Sequence, residues 1–152
     1  MLEMTQQNLQ KVISNVLERM FFIFIEPVSA NECAGELTGT SFHHVHISFA
    51  GAQKKLELAF YFATSLGTQM AANFLGMEVS EVDTTQVRDV LKEMVNMVAG
   101  GLVNIGDPDG RIKLGIPNVA EVVRPGEEII MNVGLTCYGS DDGYLFVHCF
   151  DG

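Results

Sequence analysis

Apolar residues along this chain recur with helical spacing in some stretches and alternate with polar residues, as in strands, in others. A long helix is predicted around residues 5–23, and a second long one over 80–106. A short helix is predicted over 65–76, with Ser65 as its candidate N-cap and Gly76 at its end. Strands are predicted over 42–51, 56–63, 113–123, 127–139 and 144–150. In the first helix the apolar residues recur with helical spacing: Leu9, Val12, Ile13, Val16, Leu17, Met20 and Phe21.

This order of elements predicts an α+β fold with two long helices and a short helix packed on an antiparallel or mixed sheet. A chain of 152 residues suits one domain, spanning residues 1–152. The halves resemble each other, since an offset of 88 aligns 48–62 with 136–150 and places Gly51 on Gly139 and Phe62 on Phe150. We therefore expect an internal repeat about a pseudo-two-fold axis.

The charge and cysteine content narrow the possible partners. The formal net charge is −10, and no basic cluster occurs beyond Lys54 and Lys55, so nucleic acid and anionic membrane are poor candidate partners. Three cysteines without a CxxC pair suit free thiols rather than zinc ligands. With no signal-peptide pattern and no long apolar run, the sequence predicts a cytoplasmic protein.

A polar stripe follows the second long helix. At about 100° of rotation per residue, Asp89, Glu93 and Asn96 line up on one side, opposite an apolar face that comprises Val90, Leu91, Met94, Val95, Val98, Leu102 and Ile105. Gly100 continues the stripe one turn later and leaves a flat spot where another backbone could approach. Met97 lies at its border, where it could pack or touch a partner. Alone, such a stripe is more often an ordinary wet face than a site.

The first helix carries an incomplete copy of the same pattern. Ser14 and Glu18 stand at the relative positions of Asp89 and Glu93, but Phe21 occupies the position of Asn96. A phenylalanine cannot orient water, so a second site here would be inactive. We expect Phe21 to pack against a neighbouring element instead.

The segment DVLKEMVNMVAGGLVN resembles the signature helix of the CheC/CheX chemotaxis phosphatases. In that family an Asp or Ser is followed by Glu, Asn and a small residue at the spacing of Asp89, Glu93, Asn96 and Gly100. The resemblance extends to the leading helix, the central hairpin, the short helix and KLGIPNV after the signature helix. The CheC type carries two intact motifs and the CheX type one, so Phe21 makes this chain CheX-like.

The resemblance implies hydrolysis of the aspartyl phosphate on a CheY-type response-regulator receiver domain. Asn96 would then position the attacking water and Glu93 would dock the receiver, while Asp89, Gly100 and Met97 would contact it. No cofactor is expected on this chain, and Mg²⁺ is expected in the receiver partner. The family also implies a homodimer. The alternative is a non-catalytic receiver-binding or flagellar-switch-like adaptor of the same fold.

Two further motifs are weaker candidates. His44 and His46 share one face of a predicted strand and His148 lies on another strand, which could suggest a metal site. No acid or cysteine stands near them in sequence, so a solvated strand face is the favoured interpretation. DPDGR at 107–111 faintly resembles a calcium loop, but the later bidentate acid is absent and a turn is expected.

Overall fold

Three helices form where apolar residues recur with helical spacing. A computed structural model describes residues 6–29, 31–33, 40–51, 55–106, 110–120, 122 and 135–151. Helix α1 spans Gln6–Val16 and continues as a π-helical turn over Leu17–Phe21. Helix α2 spans Thr64–Leu75 and helix α3 spans Thr84–Gly106. None of these described helices is long and apolar enough to cross a membrane.

Specific residues define the C-terminal end of α2 and the N-terminal end of α3. Gly76 ends α2 in a left-handed conformation at φ 67°, as predicted. Helix α3 begins at Thr84, later than the predicted residue 80, because Asp83 accepts the backbone N–H of Gln86 at 2.8 Å and Gln86 accepts that of Asp83 at 3.0 Å. Ser65 does not cap α2; it lies inside the helix and donates to the carbonyl of Asp142 at 2.7 Å.

Seven strands of the described chain form one antiparallel sheet. They are β1 Glu26–Pro27, β2 Phe42–Ala50, β3 Lys55–Ala63, β4 Lys113–Leu114, β5 Asn118–Val119, β6 Leu135–Ser140 and β7 Gly143–Asp151. The order across the sheet is β1-β6-β7-β3-β2-β4, and β5 also pairs with β2. All described pairings are antiparallel, which confirms the α+β prediction.

The predicted strand over 113–123 is shorter and interrupted where it is described. Only 113–114 and 118–119 pair with β2, and the intervening residues include a proline, which lacks the N–H that a continuous ladder needs. Residue 121, residues 123–134, residues 52–54 and the first three residues of the turn expected at 107–111 lie outside the described residues.

The helices cover one face of the sheet and form the core with it. Val45, Phe60 and Val147 point from the three central strands toward the helices and are buried. They meet the apolar face of α3, where burying each large aliphatic side chain contributes about 1.5–3 kcal/mol. The prediction of the α3 core face is wrong for one residue. Ile105 is 49% exposed, because it lies in the last turn of the helix, beyond the part that packs on the core.

The two hairpins are related across the β3–β7 pair. Ala59 pairs with His148, and Phe60 pairs with Val147. A two-fold axis between these two pairs therefore relates each residue of β3 to the residue of β7 whose number is 88 higher. This places Phe62 on Phe150 as predicted. Gly51 does not correspond to Gly139, because four residues separate β2 from β3 and only two separate β6 from β7. The alignment therefore holds for one strand of each hairpin.

Candidate functional site

The polar stripe of α3 faces away from the core, as the helical periodicity predicts. Asp89, Glu93 and Asn96 are exposed, whereas the apolar residues on the opposite side are buried up to Leu102. Their side chains form no hydrogen bond or ion pair with other described residues. Asp89, Glu93 and Asn96 therefore present one carboxamide and two carboxylates to solvent along about two turns of helix.

The paired glycines of α3 have opposite surroundings. A Cβ added at Gly100 would meet nothing within 4 Å, so the end of the stripe is open. A Cβ added at Gly101 would lie 2.8 Å from Cγ1 of Val12, because α1 crosses α3 closely there. Gly101 thus serves helix packing, and Gly100 leaves the flat surface expected from the sequence. Met97 is half-buried and packs against the core from the border of the stripe.

A π-helical turn removes Phe21 from the corresponding stripe of the first helix. Glu18 is exposed and Ser14 is half-buried, but Phe21 is fully buried. The π turn over Leu17–Phe21 has more residues per turn than an α-helix, so it rotates Phe21 away from the face that α-helical spacing predicts. The prediction that these residues share one stripe is therefore wrong for Phe21.

The buried position of Phe21 confirms that it packs against a neighbouring element. Its ring stacks on Phe74 of α2 at a centroid distance of 5.1 Å, and Asn73 donates to its carbonyl at 2.8 Å. Phe22 then ends the helix in a left-handed conformation at φ 56° with its own ring exposed. The end of the first helix is thus built for packing on α2 and carries no carboxamide.

The histidines on the sheet face opposite the helices are not simply solvated, so that interpretation is corrected. The ring of His44 stacks on Tyr61 with a centroid distance of 4.5 Å, and its Nε2 is buried without a hydrogen-bond partner among the described residues. His46 forms an ion pair with Glu57, an acid that is distant in sequence but adjacent across the hairpin. These rings and that of His148 line a pocket of about 480 Å³.

Burial and charge shift the pKa values on this face. Burial, reinforced by the neighbouring His46, lowers the pKa of His44. Burial alone raises the pKa of Glu57, but hydrogen bonds from Ser48 and Lys55 and the charge of His46 outweigh it, so that this pKa lies below its ordinary value. In the described part of the chain, no three His, Cys, Asp or Glu side chains are placed to hold a metal ion.

Two basic residues beside the stripe were not singled out from the sequence. Arg88 and Lys92 line a cleft of about 320 Å³ between α3 and residues 117–119, and Asp89 also contributes to it. Because they are four residues apart, both lie on one side of the helix, and this much could have been predicted from the helical periodicity of the sequence. The position of the 117–119 segment opposite them follows from the tertiary fold.

Comparison with protein families decides the relationship of this chain. Residues 44–123, from β2 through α3 to beyond β5, match the family described as chemotaxis phosphatase CheX. The chain belongs to the CheX family. The matched region contains the whole polar stripe and ends before the hairpin of β6 and β7. A comparison with curated protein sequences gives no match.

Solved structures share the fold of this CheX-family chain over nearly its whole length. Chemotaxis protein CheX from Vibrio vulnificus is 21% identical with a TM-score of 0.75, over 97% of this chain and 95% of that one. A CheC-like superfamily protein from Shewanella sp. PV-4 is 18% identical with a TM-score of 0.68, over 96% and 97%. The chain from the CheX-CheY-BeF3-Mg²⁺ complex of Borrelia burgdorferi is 16% identical with a TM-score of 0.64, over 95% and 96%.

Proposed function

We propose that this protein hydrolyses the aspartyl phosphate of a CheY-type receiver domain. The observation that carries the proposal is the exposed line of Asp89, Glu93 and Asn96 on α3, in a chain of the CheX family. A similar fold has been crystallised with CheY, BeF3 and Mg²⁺, which supports a receiver partner that brings its own Mg²⁺. No cofactor on this chain is required.

Asn96 supplies what an acyl phosphate lacks for hydrolysis, namely a positioned water. Its carboxamide can accept from and donate to one water molecule and hold it in line with phosphorus, as a glutamine does in GTPases. The water oxygen bonds to phosphorus while the bond from phosphorus to the receiver's aspartate breaks. The products are inorganic phosphate and the free carboxylate, with a proton released.

Glu93 fixes the position of the receiver relative to Asn96. An exposed carboxylate one helical turn from the carboxamide can pair with a lysine of the receiver. Because the carboxylate lies so near the carboxamide, this pair restricts how the receiver is oriented over Asn96. Asp89 and the open surface at Gly100 extend the contact along the helix, with Met97 at its border. Glu93 is exposed, so this role costs the fold nothing.

The first helix does not provide a second site. Phe21 is buried under Phe74, and the position three residues after Glu18 therefore holds no carboxamide. One receiver should therefore bind per chain. We also propose that the protein acts as a homodimer in the cytoplasm, as the family resemblance implies.

Phosphate release from receivers of the same organism tests the proposal. Each CheY-type receiver is phosphorylated, and the loss of its phosphoryl group is followed with and without the protein. Acceleration of at least one receiver supports the phosphatase. Binding to a receiver without any acceleration would favour the adaptor of the same fold and contradict the catalytic role of Asn96.

A further inference from the structure

The cleft beside the polar stripe is positively charged in an otherwise acidic protein. The chain carries nineteen acids and nine bases, yet Arg88 and Lys92 both line this cleft, and Asp89 is the one acid among its described lining residues. The opposite wall is the edge segment 117–119, next to β2. A partner that meets this wall meets a local charge opposite to that of the protein as a whole.

Arg88 is held in place by β5, whereas the side chain of Lys92 is exposed. The guanidinium of Arg88 donates from Nη2 to the carbonyl of Val119 at 3.1 Å, which ties α3 to β5. Its charge also contributes, after burial, to the lowered pKa of His43 on the inner face of β2. Lys92 is exposed, and it has no ion-pair partner among the described residues.

Lys92 and Glu93 place opposite charges on the two flanks of Asn96. Consecutive residues of a helix are rotated by about 100°, and Asn96, four and three residues further on, projects between them. A single charged contact lets a partner rotate about that point. Two contacts of opposite sign define one orientation of the partner over the carboxamide.

We propose that this cleft receives a carboxylate-bearing segment of the receiver domain, with Lys92 as its principal contact. The inference rests on the proposed function, and it adds a second anchor that complements the one at Glu93. Charge complementarity supports it: the protein has a net charge of −10, and this cleft offers two basic side chains that an acidic segment can contact. The edge segment 117–119 forms the rim against which the receiver segment packs.

Binding to a BeF3-Mg²⁺-loaded receiver of the same organism tests the cleft without requiring hydrolysis. Lys92→Glu should weaken binding by about tenfold or more and reduce its dependence on salt, because a charge contact has been reversed. Lys92→Arg should bind within about threefold of wild type. Lys113→Glu is the matched control: it makes the same charge change on exposed β4, at the other end of the edge, and should bind within about twofold.

The outcomes separate this inference from the proposed function. If Lys92→Glu binds as tightly as Lys113→Glu, the cleft does not contact the receiver, even where wild type accelerates phosphate loss. If wild type binds but does not accelerate phosphate loss, while Lys92→Glu binds weakly, the cleft is supported and the phosphatase is not. Inorganic phosphate could instead bind to wild type and not to Lys92→Glu, while Lys92→Glu binds the receiver as tightly as wild type. The cleft would then be an anion site for a small molecule, and the inference would be wrong.

Discussion

At the scale of single residues, two glutamates on two helices distinguish the proposed receiver site on α3 from the corresponding position on the first helix. Glu93 and Glu18 are both exposed and occupy corresponding places, but only Glu93 is followed three residues later by a carboxamide on the exposed face. Because both are solvent-facing acids, their removal changes the net charge equally and leaves the core intact. They are therefore a matched pair for testing where the receiver docks.

Glu93→Ala should remove most of the acceleration of phosphate loss, on the order of tenfold or more, because a charge-assisted contact with the receiver is lost. Glu18→Ala should stay within about twofold of wild type. The measurement is kcat/KM for a phosphorylated receiver, with thermal unfolding as a check that both variants fold. A Glu18→Ala variant as inactive as Glu93→Ala, or two receivers bound per chain, would favour a two-site protein.

At the scale of elements, α3 combines close packing and an open surface in consecutive residues. Gly101 lies against Val12 of α1, and Gly100 meets nothing. The periodicity of the sequence predicts which side of α3 is polar, but it cannot assign different roles to adjacent glycines. That difference depends on where α1 crosses the helix.

Gly100→Ala should raise the free energy of unfolding by about 0.5–1 kcal/mol, since alanine favours helix and its methyl meets no neighbour. It should weaken receiver binding, because the methyl projects from the contact surface. Gly101→Ala should lower stability instead, since the stiff Val12 side chain must move. Thermal unfolding and receiver titration measure both effects. If Gly100→Ala binds the receiver as tightly as wild type, Gly100 does not lie in the contact surface.

The same limit of sequence analysis appears in the first helix and in the sheet. Apolar spacing finds the helix, but the π turn that buries Phe21 depends on Phe74 of α2, more than fifty residues away. Alternation finds β2 and β3, but the partner of His46 is Glu57, which only the hairpin register brings near. Local pattern predicts elements and faces, while contacts between elements require the fold.

At the scale of the whole molecule, the helices cover one face of the sheet, and the other face carries a partly buried histidine. His44 is stacked on Tyr61, and burial, together with the nearby His46, lowers its pKa from the ordinary value of 6.5. The folded protein therefore takes up protons less readily at this site than the unfolded chain. Stability should be full above about pH 6.5 and should fall as the pH drops below it toward the folded pKa.

His44→Phe should reduce this loss of stability, because phenylalanine keeps the stacking and cannot be protonated. The measurement is the Tm of wild type and variant at about pH 7.5 and about pH 5.5. Wild type should lose more between the two than the variant. His43, whose pKa burial also lowers, should leave a residual loss in both. An identical change in Tm for both proteins would show that His44 does not contribute.

The central claim is that Asn96 positions the water that hydrolyses the receiver's aspartyl phosphate. It is tested most directly by the rate of phosphate loss from a phosphorylated receiver saturated with wild type or with Asn96→Ala. Saturation removes any difference in binding, and titration with the BeF3-Mg²⁺ form should show affinities within about threefold of each other. We predict that Asn96→Ala loses on the order of 10²-fold of the acceleration. An Asn96→Ala variant as fast as wild type at saturation would contradict the account.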